Sequence, residues 1–135
     1  MLPHYHALIA AITVLVVSLI FFQDLSIIEI FIWIVIGSII AAIIDIDAII
    51  IANIKSKREP TLQRFRSFKA IANDFNAFIS TMGETGTLKT ILVTHVIFSL
   101  IIVLLFYLFQ EHYIFPVTFG VLTHLLTDIK YIQKI

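Results

Sequence analysis

Six side chains with acid–base or metal-binding chemistry stand inside long apolar stretches of the sequence. They are His6, Asp45, Asp47, His95, His124 and Asp128. His124 and Asp128 are spaced four residues apart, so on a helix they share one face and can meet at one point. An ionised Asp near the middle of a membrane-spanning helix costs about 2.5–3.5 kcal/mol. Such residues usually face a partner, a bundle interior or a water-filled cavity.

Carboxylates and imidazoles gathered around one point form a hard-to-borderline metal site, which suits Zn, Mn, Fe or Mg better than a soft ion. Asp45 and Asp47 point about 200° apart on a regular helix. Both can serve one metal only if the helix breaks there or if two metals bind; otherwise only one of them belongs to the site. A metal or proton site is the favoured interpretation of the six residues. A purely structural network is the alternative.

The composition indicates the setting in which these residues must be positioned. The 135-residue chain is 60% hydrophobic and 13% charged, whereas a soluble domain is roughly half apolar and a quarter charged. It has no cysteine, which excludes disulfides, thiolate metal ligands and cysteine nucleophiles. Its net charge of zero argues against nucleic acid as the main partner. We therefore expect an all-α, polytopic membrane protein whose surroundings are the lipid bilayer.

Four apolar segments are long enough to cross a bilayer as helices, which needs about 20 residues each. We predict one membrane domain, 1–135, with spans at about 7–22, 27–54, 88–109 and 113–132.

Between the second and third spans, residues 60–82 combine apolar residues at helical spacing with a basic opposite face. This pattern predicts an amphipathic helix on the membrane surface. A helix packed against another subunit is the alternative. The residues assigned to the membrane surface are Arg64, Phe65, Arg66, Phe68, Lys69 and Phe75.

The cations predict the orientation. Seven of the nine Lys and Arg residues lie in the connection between the second and third spans. The other two, Lys130 and Lys134, lie near the C-terminus. By the positive-inside tendency, that side and both termini face the cytoplasm of the cell membrane. Asp45 and Asp47 then lie roughly 12–15 Å inward from Lys55. The six chemical residues all fall in the cytoplasmic half of the bilayer.

Four motifs in chain order, YHALIA, IGSIIAAIIDIDA, VTHVIFSL and VLTHLLTD, resemble those of the YdjM-like, LexA-regulated membrane-bound metal-dependent hydrolases. That family carries an N-terminal His, a Pro-Asp-x-Asp-His segment, a Thr-His-Ser-Leu element and a final His-x-x-x-Asp. The resemblance implies that the metal ligands or their neighbours are His6, Asp45, Asp47, His95, His124 and Asp128. Ile44 stands where the family has Pro and Ala48 where it has His, so we expect a short and divergent member.

The leading interpretation is a metal-dependent hydrolase that acts on a phosphate ester or a lipid head group. Asp47 is the predicted catalytic carboxylate, accepting the proton of a metal-coordinated water. One alternative is a non-catalytic small subunit of a larger membrane complex. A second is a proton or ion transport component, which would have to form a homo-oligomer because four spans are few for a transporter.

Overall fold

The computed structural model describes residues 2–132, with side chains to Ile129. Met1 and residues 133–135, including the predicted cytoplasmic Lys134, lie outside the described residues. Within the described range the chain is helical and has no strand, so the predicted all-α class is confirmed there. The helices are α1 (Pro3–Phe21), α2 (Ile27–Ile43), α3 (Ile46–Lys55), α4 (Phe68–Asn73), α5 (Phe75–Glu84), α6 (Thr87–Phe109) and α7 (Ile114–Ile132), with 3₁₀ turns at Pro60–Phe65 and Glu111–Tyr113.

Three helical segments of the described chain are long and apolar enough to span a membrane. They are α1, the segment Ile27–Lys55 formed by α2 and α3, and α6. The helix α7 corresponds to the fourth predicted span but is not among them; its polar residues, chiefly His124, Asp128 and Lys130, lower its mean hydropathy. Large apolar side chains such as Leu19, Phe31 and Leu100 are exposed along the three segments, as expected of helices surrounded by lipid.

The first two helices start at residues that are typical of helix N-termini. Pro3 occupies the first turn of α1, where its missing N–H and fixed φ are tolerated. Ser26 and Glu29 form a reciprocal capping box at the start of α2: the Ser26 N–H donates to Glu29 Oε2 (2.8 Å) and the Glu29 N–H donates to Ser26 Oγ (3.3 Å). These bonds satisfy two N–H groups that the helix leaves without partners. They also account for Glu29 at the edge of an apolar segment.

The helices α1, α2 and α7 pack closely together at two glycines, Gly37 and Gly120. A Cβ added to Gly120 on α7 would lie 2.5 Å from the carbonyl oxygen of Gly37 on α2, and one added to Gly37 would lie 2.8 Å from Val14 on α1. Small residues at a crossing let helix backbones approach closely in a membrane. A buried apolar cluster beside this crossing extends to α6; it consists of Ile40, Ile44, Ile102, Val117 and Val121.

Residues 60–84, which we term the cap, do not form the single helix predicted over 60–82. The cap is a 3₁₀ turn followed by α4 and α5. Each α-helix of the cap starts at its own N-cap: Ser67 accepts a hydrogen bond from the Ala70 N–H, and Asp74 accepts one from the Ala77 N–H. A helix that begins at a new N-cap must leave helical geometry just before it. The prediction of one continuous helix is therefore wrong.

The apolar side of the cap packs on the protein itself. Its buried side chains include Leu62, Ile71, Phe78 and Met82, which contact Ala52 of α3 and Leu88 and Ile91 of α6. The predicted apolar stripe is thus the core of a small layer over one end of the bundle.

The residues predicted to lie on the membrane surface divide accordingly. Phe65 is only 2% exposed and packs edge-on against Phe78, so its assignment to a lipid-facing surface is wrong. The Arg64 guanidinium lies over the Phe65 ring and donates to Thr81 Oγ1 (3.2 Å). Arg66 donates to Ser56 Oγ (2.9 Å). The two arginines therefore fasten the cap to itself and to the end of α3.

The remaining three of these residues differ in exposure. Phe68 is 50% exposed and Lys69 is exposed. Phe75 is half-buried and packs against the buried core of the cap.

Candidate metal centre

Four side chains from three separate stretches of chain meet inside the bundle. His6 comes from the first turns of α1, Asp45 from the turn between α2 and α3, and His124 and Asp128 from consecutive turns of α7. One nitrogen or oxygen atom from each lies within 4.8 Å of the others, and the four residues are buried or nearly so. The four-residue group could hold a metal ion.

The distances between the histidine and carboxylate atoms indicate a common centre. His6 Nε2 lies 3.4 Å from Asp128 Oδ1 and 3.7 Å from Asp45 Oδ2. His124 Nε2 lies 3.5 Å from Asp128 Oδ2 and 3.8 Å from Asp45 Oδ1. These separations exceed ordinary hydrogen-bond lengths. Ligand atoms 2.0–2.2 Å from a tetrahedral zinc ion would lie about 3.3–3.6 Å apart. The individual histidine–carboxylate contacts are near this spacing, and the set with one atom from each residue extends to 4.8 Å.

The other ring nitrogen of each of these two histidines is held by a partner outside the centre. The His124 Nδ1–H donates to the Ala41 carbonyl oxygen at 2.7 Å. His6 Nδ1 lies 2.7 Å from Thr127 Oγ1, and the Thr127 hydroxyl donates to the His124 carbonyl (2.8 Å). Because that hydroxyl proton is already used, Thr127 accepts from the His6 Nδ1–H. Both imidazoles are thereby oriented with Nε2 turned to the centre, and in the neutral tautomer that carries its proton on Nδ1 this atom can bind a metal.

Several atoms at the centre have no hydrogen-bond partner among the residues that the structure describes. They include His6 Nε2, His124 Nε2 and Asp45 Oδ2, each of which is buried. Buried polar atoms in native proteins are nearly always hydrogen-bonded, so three unsatisfied atoms facing one point call for an explanation. A cation at the centre would satisfy them together.

A fifth and a sixth residue form a pair at the edge of this group. His95 Nδ1 on α6 lies 2.6 and 2.7 Å from the two carboxylate oxygens of Asp47, and the Thr94 hydroxyl also donates to Asp47 (2.7 Å). The far nitrogen, His95 Nε2, lies 3.7 Å from Asp45 Oδ1 and 3.9 Å from Asp128 Oδ2. The pair therefore points the Nε2 of His95 at the same two carboxylates that the other histidines approach.

The backbone between α2 and α3 explains why the carboxylates of Asp45 and Asp47 point in different directions. The regular α-helix gives way to a turn over Ile44 and Asp45, although the Ile44 N–H still donates a long hydrogen bond to the Ile40 carbonyl oxygen (3.4 Å). Both residues nevertheless keep right-handed helical dihedrals, so the chain continues in nearly the same direction. The two carboxylates accordingly point to different neighbours. Only Asp45 joins the four-residue group, which is the outcome expected of a nearly regular helix.

Asp47, the predicted catalytic carboxylate, is hydrogen-bonded rather than free. Its oxygens contact His95 and Thr94, and it does not belong to the four-residue group. These contacts restrain the His95 ring, and the catalytic role of Asp47 stays a prediction.

Three supporting residues were not found from the sequence. Thr94 holds Asp47, Thr127 holds His6, and the backbone of Ala41 holds His124. Two of them carried a weak signal, because Thr94 directly precedes His95 and Thr127 directly precedes Asp128. A backbone carbonyl such as that of Ala41 leaves no mark in the sequence.

No family model, no curated protein and no solved structure matches the chain. The likeness to the YdjM-like hydrolases therefore rests on its short motifs. The case for a metal centre rests on the geometry of the described residues.

Proposed function

We propose that the protein is a four-span membrane hydrolase that uses a divalent metal ion held by His6, Asp45, His124 and Asp128. The observation that carries the proposal is the convergence of buried, unsatisfied His and Asp atoms on one point, with the outward nitrogens of His6 and His124 already bonded. Two imidazoles and two carboxylates suit Zn, Mn, Fe or Mg. The motif likeness to the YdjM-like family supports the same reaction class.

The proposed topology adds α7 to the three candidate spans. Its support is the packing of α7 against α1 and α2 through Gly120 and the exposed apolar side chains Leu122, Leu126 and Ile129 on its outer face. The connections at 22–26 and 110–113 contain no Lys or Arg, whereas the cap and its flanks contain seven. The positive-inside tendency then places the cap and both termini in the cytoplasm, with the cap at the membrane surface.

The protein's own residues would divide the work of hydrolysis. A bound divalent ion would supply Lewis acidity and lower the pKa of a coordinated water. His95 Nε2 is placed to accept the proton from the attacking water, and Asp47 holds the His95 ring through Nδ1. The water oxygen would bond to phosphorus as the ester P–O bond breaks, and His95 would return the proton to the leaving oxygen.

Elemental analysis of the purified full-length protein in detergent tests the metal centre. We expect about one equivalent of metal in the wild-type protein and its loss in Asp45→Ala and His124→Ala. His4→Ala and Asp24→Ala are matched controls, because both residues are exposed and lie outside the group. The fluorescence of the single tryptophan, Trp33, reports whether each variant is folded. Folded wild-type protein that takes up none of the four metals would contradict the proposal.

The role of His95 is tested separately. His95→Gln should keep the metal, because His95 lies outside the four-residue group. It should lower the hydrolysis of phosphatidylglycerol and phosphatidic acid in mixed micelles by about 10²–10⁴-fold, the usual effect of a general base. Loss of metal in this variant would instead identify His95 as a ligand.

A non-catalytic subunit or a transport component could use the same polar residues. A structural network, however, would be expected to pair its buried atoms with each other, and three atoms of this group have no such partner. Wild-type protein that carries no metal and always co-purifies with a fixed set of proteins would favour the subunit interpretation.

A further inference from the structure

A groove between α6 and α7 leads from the outer face of the bundle to the metal centre. Its outer part is lined by Val96, Leu122, Leu126 and Ile129, and its inner end reaches His95 and Asp128. The four apolar side chains are each about half exposed, from 46% for Leu122 to 63% for Leu126. The groove thus runs from an apolar opening to a polar floor.

The groove has a larger volume than two other cavities that reach the centre. It has a volume of about 210 Å³, whereas a single water needs only about 10–15 Å³ measured in the same way. Two cavities beneath the cap also reach Asp45, but they measure only about 30 and 40 Å³. Phe75 and Phe78 of the cap line both of these narrow cavities. Of these three cavities, the one with the largest volume approaches the centre from the side and not through the cap.

The position of the groove indicates what surrounds its opening. One wall is α6, which is long and apolar enough to span a membrane. In the four-span arrangement the opening faces the hydrocarbon of the bilayer, where water is scarce and acyl chains are abundant. A molecule that fits an apolar opening and a metal-binding floor must itself carry a hydrocarbon chain and a polar end.

We infer that the groove binds one membrane lipid, with an acyl chain along Leu122 and Leu126 and the head group at His95 and Asp128. The inference rests on the proposed function and narrows its substrate class from phosphate esters in general to bilayer phospholipids that enter sideways between α6 and α7. The two cavities on the side of the cap are much smaller than the groove, which favours entry from the bilayer.

Photo-crosslinking of the full-length protein in lipid vesicles tests the inference. The vesicles contain phosphatidylcholine and a phosphatidylglycerol that carries a diazirine midway along one acyl chain. We expect crosslinks on α6 and α7 at the groove that exceed those on the exposed face of α1. In Leu126→Trp the larger side chain would fill part of the groove and displace the acyl chain. The groove crosslinks should fall by about tenfold, the change in affinity expected when about two methylene groups of the lipid are no longer buried. Leu122→Trp, one turn earlier, should act in the same direction.

Leu8→Trp is the matched control. Leu8 is 57% exposed and lies two residues from His6, so it sits at the depth of the centre but outside the groove. Equal labelling of the wild type, Leu126→Trp and Leu8→Trp would overturn the inference. Metal content is measured on the same samples, because a metal-free wild type would overturn the proposed hydrolase whether or not the groove binds lipid.

Discussion

The two sides of α7 are packed in opposite ways. On one side, Gly120 meets the backbone of Gly37 so closely that a single added methyl group would overlap it, and Val14 of α1 fills the space beside them. On the other side, a groove of about 210 Å³ separates part of α7 from α6. One helix thus has a closely packed side and a side that borders a groove.

The difference in packing matches the two functions that we propose for the site, metal binding and substrate entry. Of the four residues that could hold a metal, His6, Asp45 and His124 lie away from the groove, whereas Asp128 lines its inner end. His95, the proposed base, comes from α6 across the groove. Ligand atoms must be held within about 0.5 Å to bind a metal well, whereas a substrate needs room to enter. Tight and loose packing on opposite faces of α7 meet both needs.

The largest effect is expected where the tight side is broken. In Gly120→Ala the new Cβ would lie 2.5 Å from the Gly37 carbonyl oxygen, so a helix backbone must move. Overpacking costs about 1–3 kcal/mol, and we expect about 3 kcal/mol here because the obstacle is backbone. The free energy of unfolding, measured by Trp33 fluorescence in mixed micelles, should fall by this amount, and bound metal should be lost.

Gly86→Ala is the matched glycine variant. A Cβ at Gly86 meets nothing within 4 Å, but its φ of 66° is left-handed. The expected cost is about 1–2 kcal/mol from that strain alone, and metal content should be unchanged. Equal losses of stability in the two variants would show that the α2–α7 crossing is not specially tight.

A smaller effect is expected from the hydrogen bonds that orient the ligands. Thr127→Val removes the acceptor of the His6 Nδ1–H while keeping the shape of the side chain. Loss of such an outer partner typically lowers metal affinity by about 10–100-fold, which a competition titration with a chelator would measure. Thr123→Val is the control, since its hydroxyl bonds only to carbonyls of its own helix. A similar drop in both variants would argue against an orienting role for Thr127.

The smallest effect is expected on the loose side. Val96 is 47% exposed at the groove, whereas Val14 is 1% exposed beside Gly37. Val96→Ala should change the free energy of unfolding by no more than about 0.5 kcal/mol, and Val14→Ala should lower it by about 2 kcal/mol. Denaturation in mixed micelles measures both. A larger loss from Val96→Ala than from Val14→Ala would reverse the comparison.

The sequence was sufficient to select residues that the fold brings together, because polar groups in apolar helices are few and costly. His6, Asp45, His124 and Asp128 were all named from that argument, and the structure gathers them. The sequence did not reveal the pairing of Asp47 with His95, because His95 lies 48 residues away on α6. Pairing at that distance depends on how the helices rotate against each other, which spacing along one helix does not reveal.

The cap shows a second limit. Apolar residues continue at steps of three and four across Ser67 and Asp74, so the periodicity alone predicts one helix. Both residues are also good N-caps, and in the structure each begins a separate helix. The same apolar stripe can face lipid or the protein's own core, and only the packing against Leu88 and Ile91 decides that it faces the core.

The Gly37–Gly120 contact also has a mechanical consequence for the site. Asp128 lies eight residues beyond Gly120 on α7, a lever of about 12 Å along the helix axis. If α7 tilted by about 5° about the Gly37–Gly120 contact, Asp128 would move by about 1 Å. This is roughly twice the displacement that a metal ligand tolerates. The four-ligand geometry is thus compatible with only one angle of α7, and that same angle sets the width of the groove along α6.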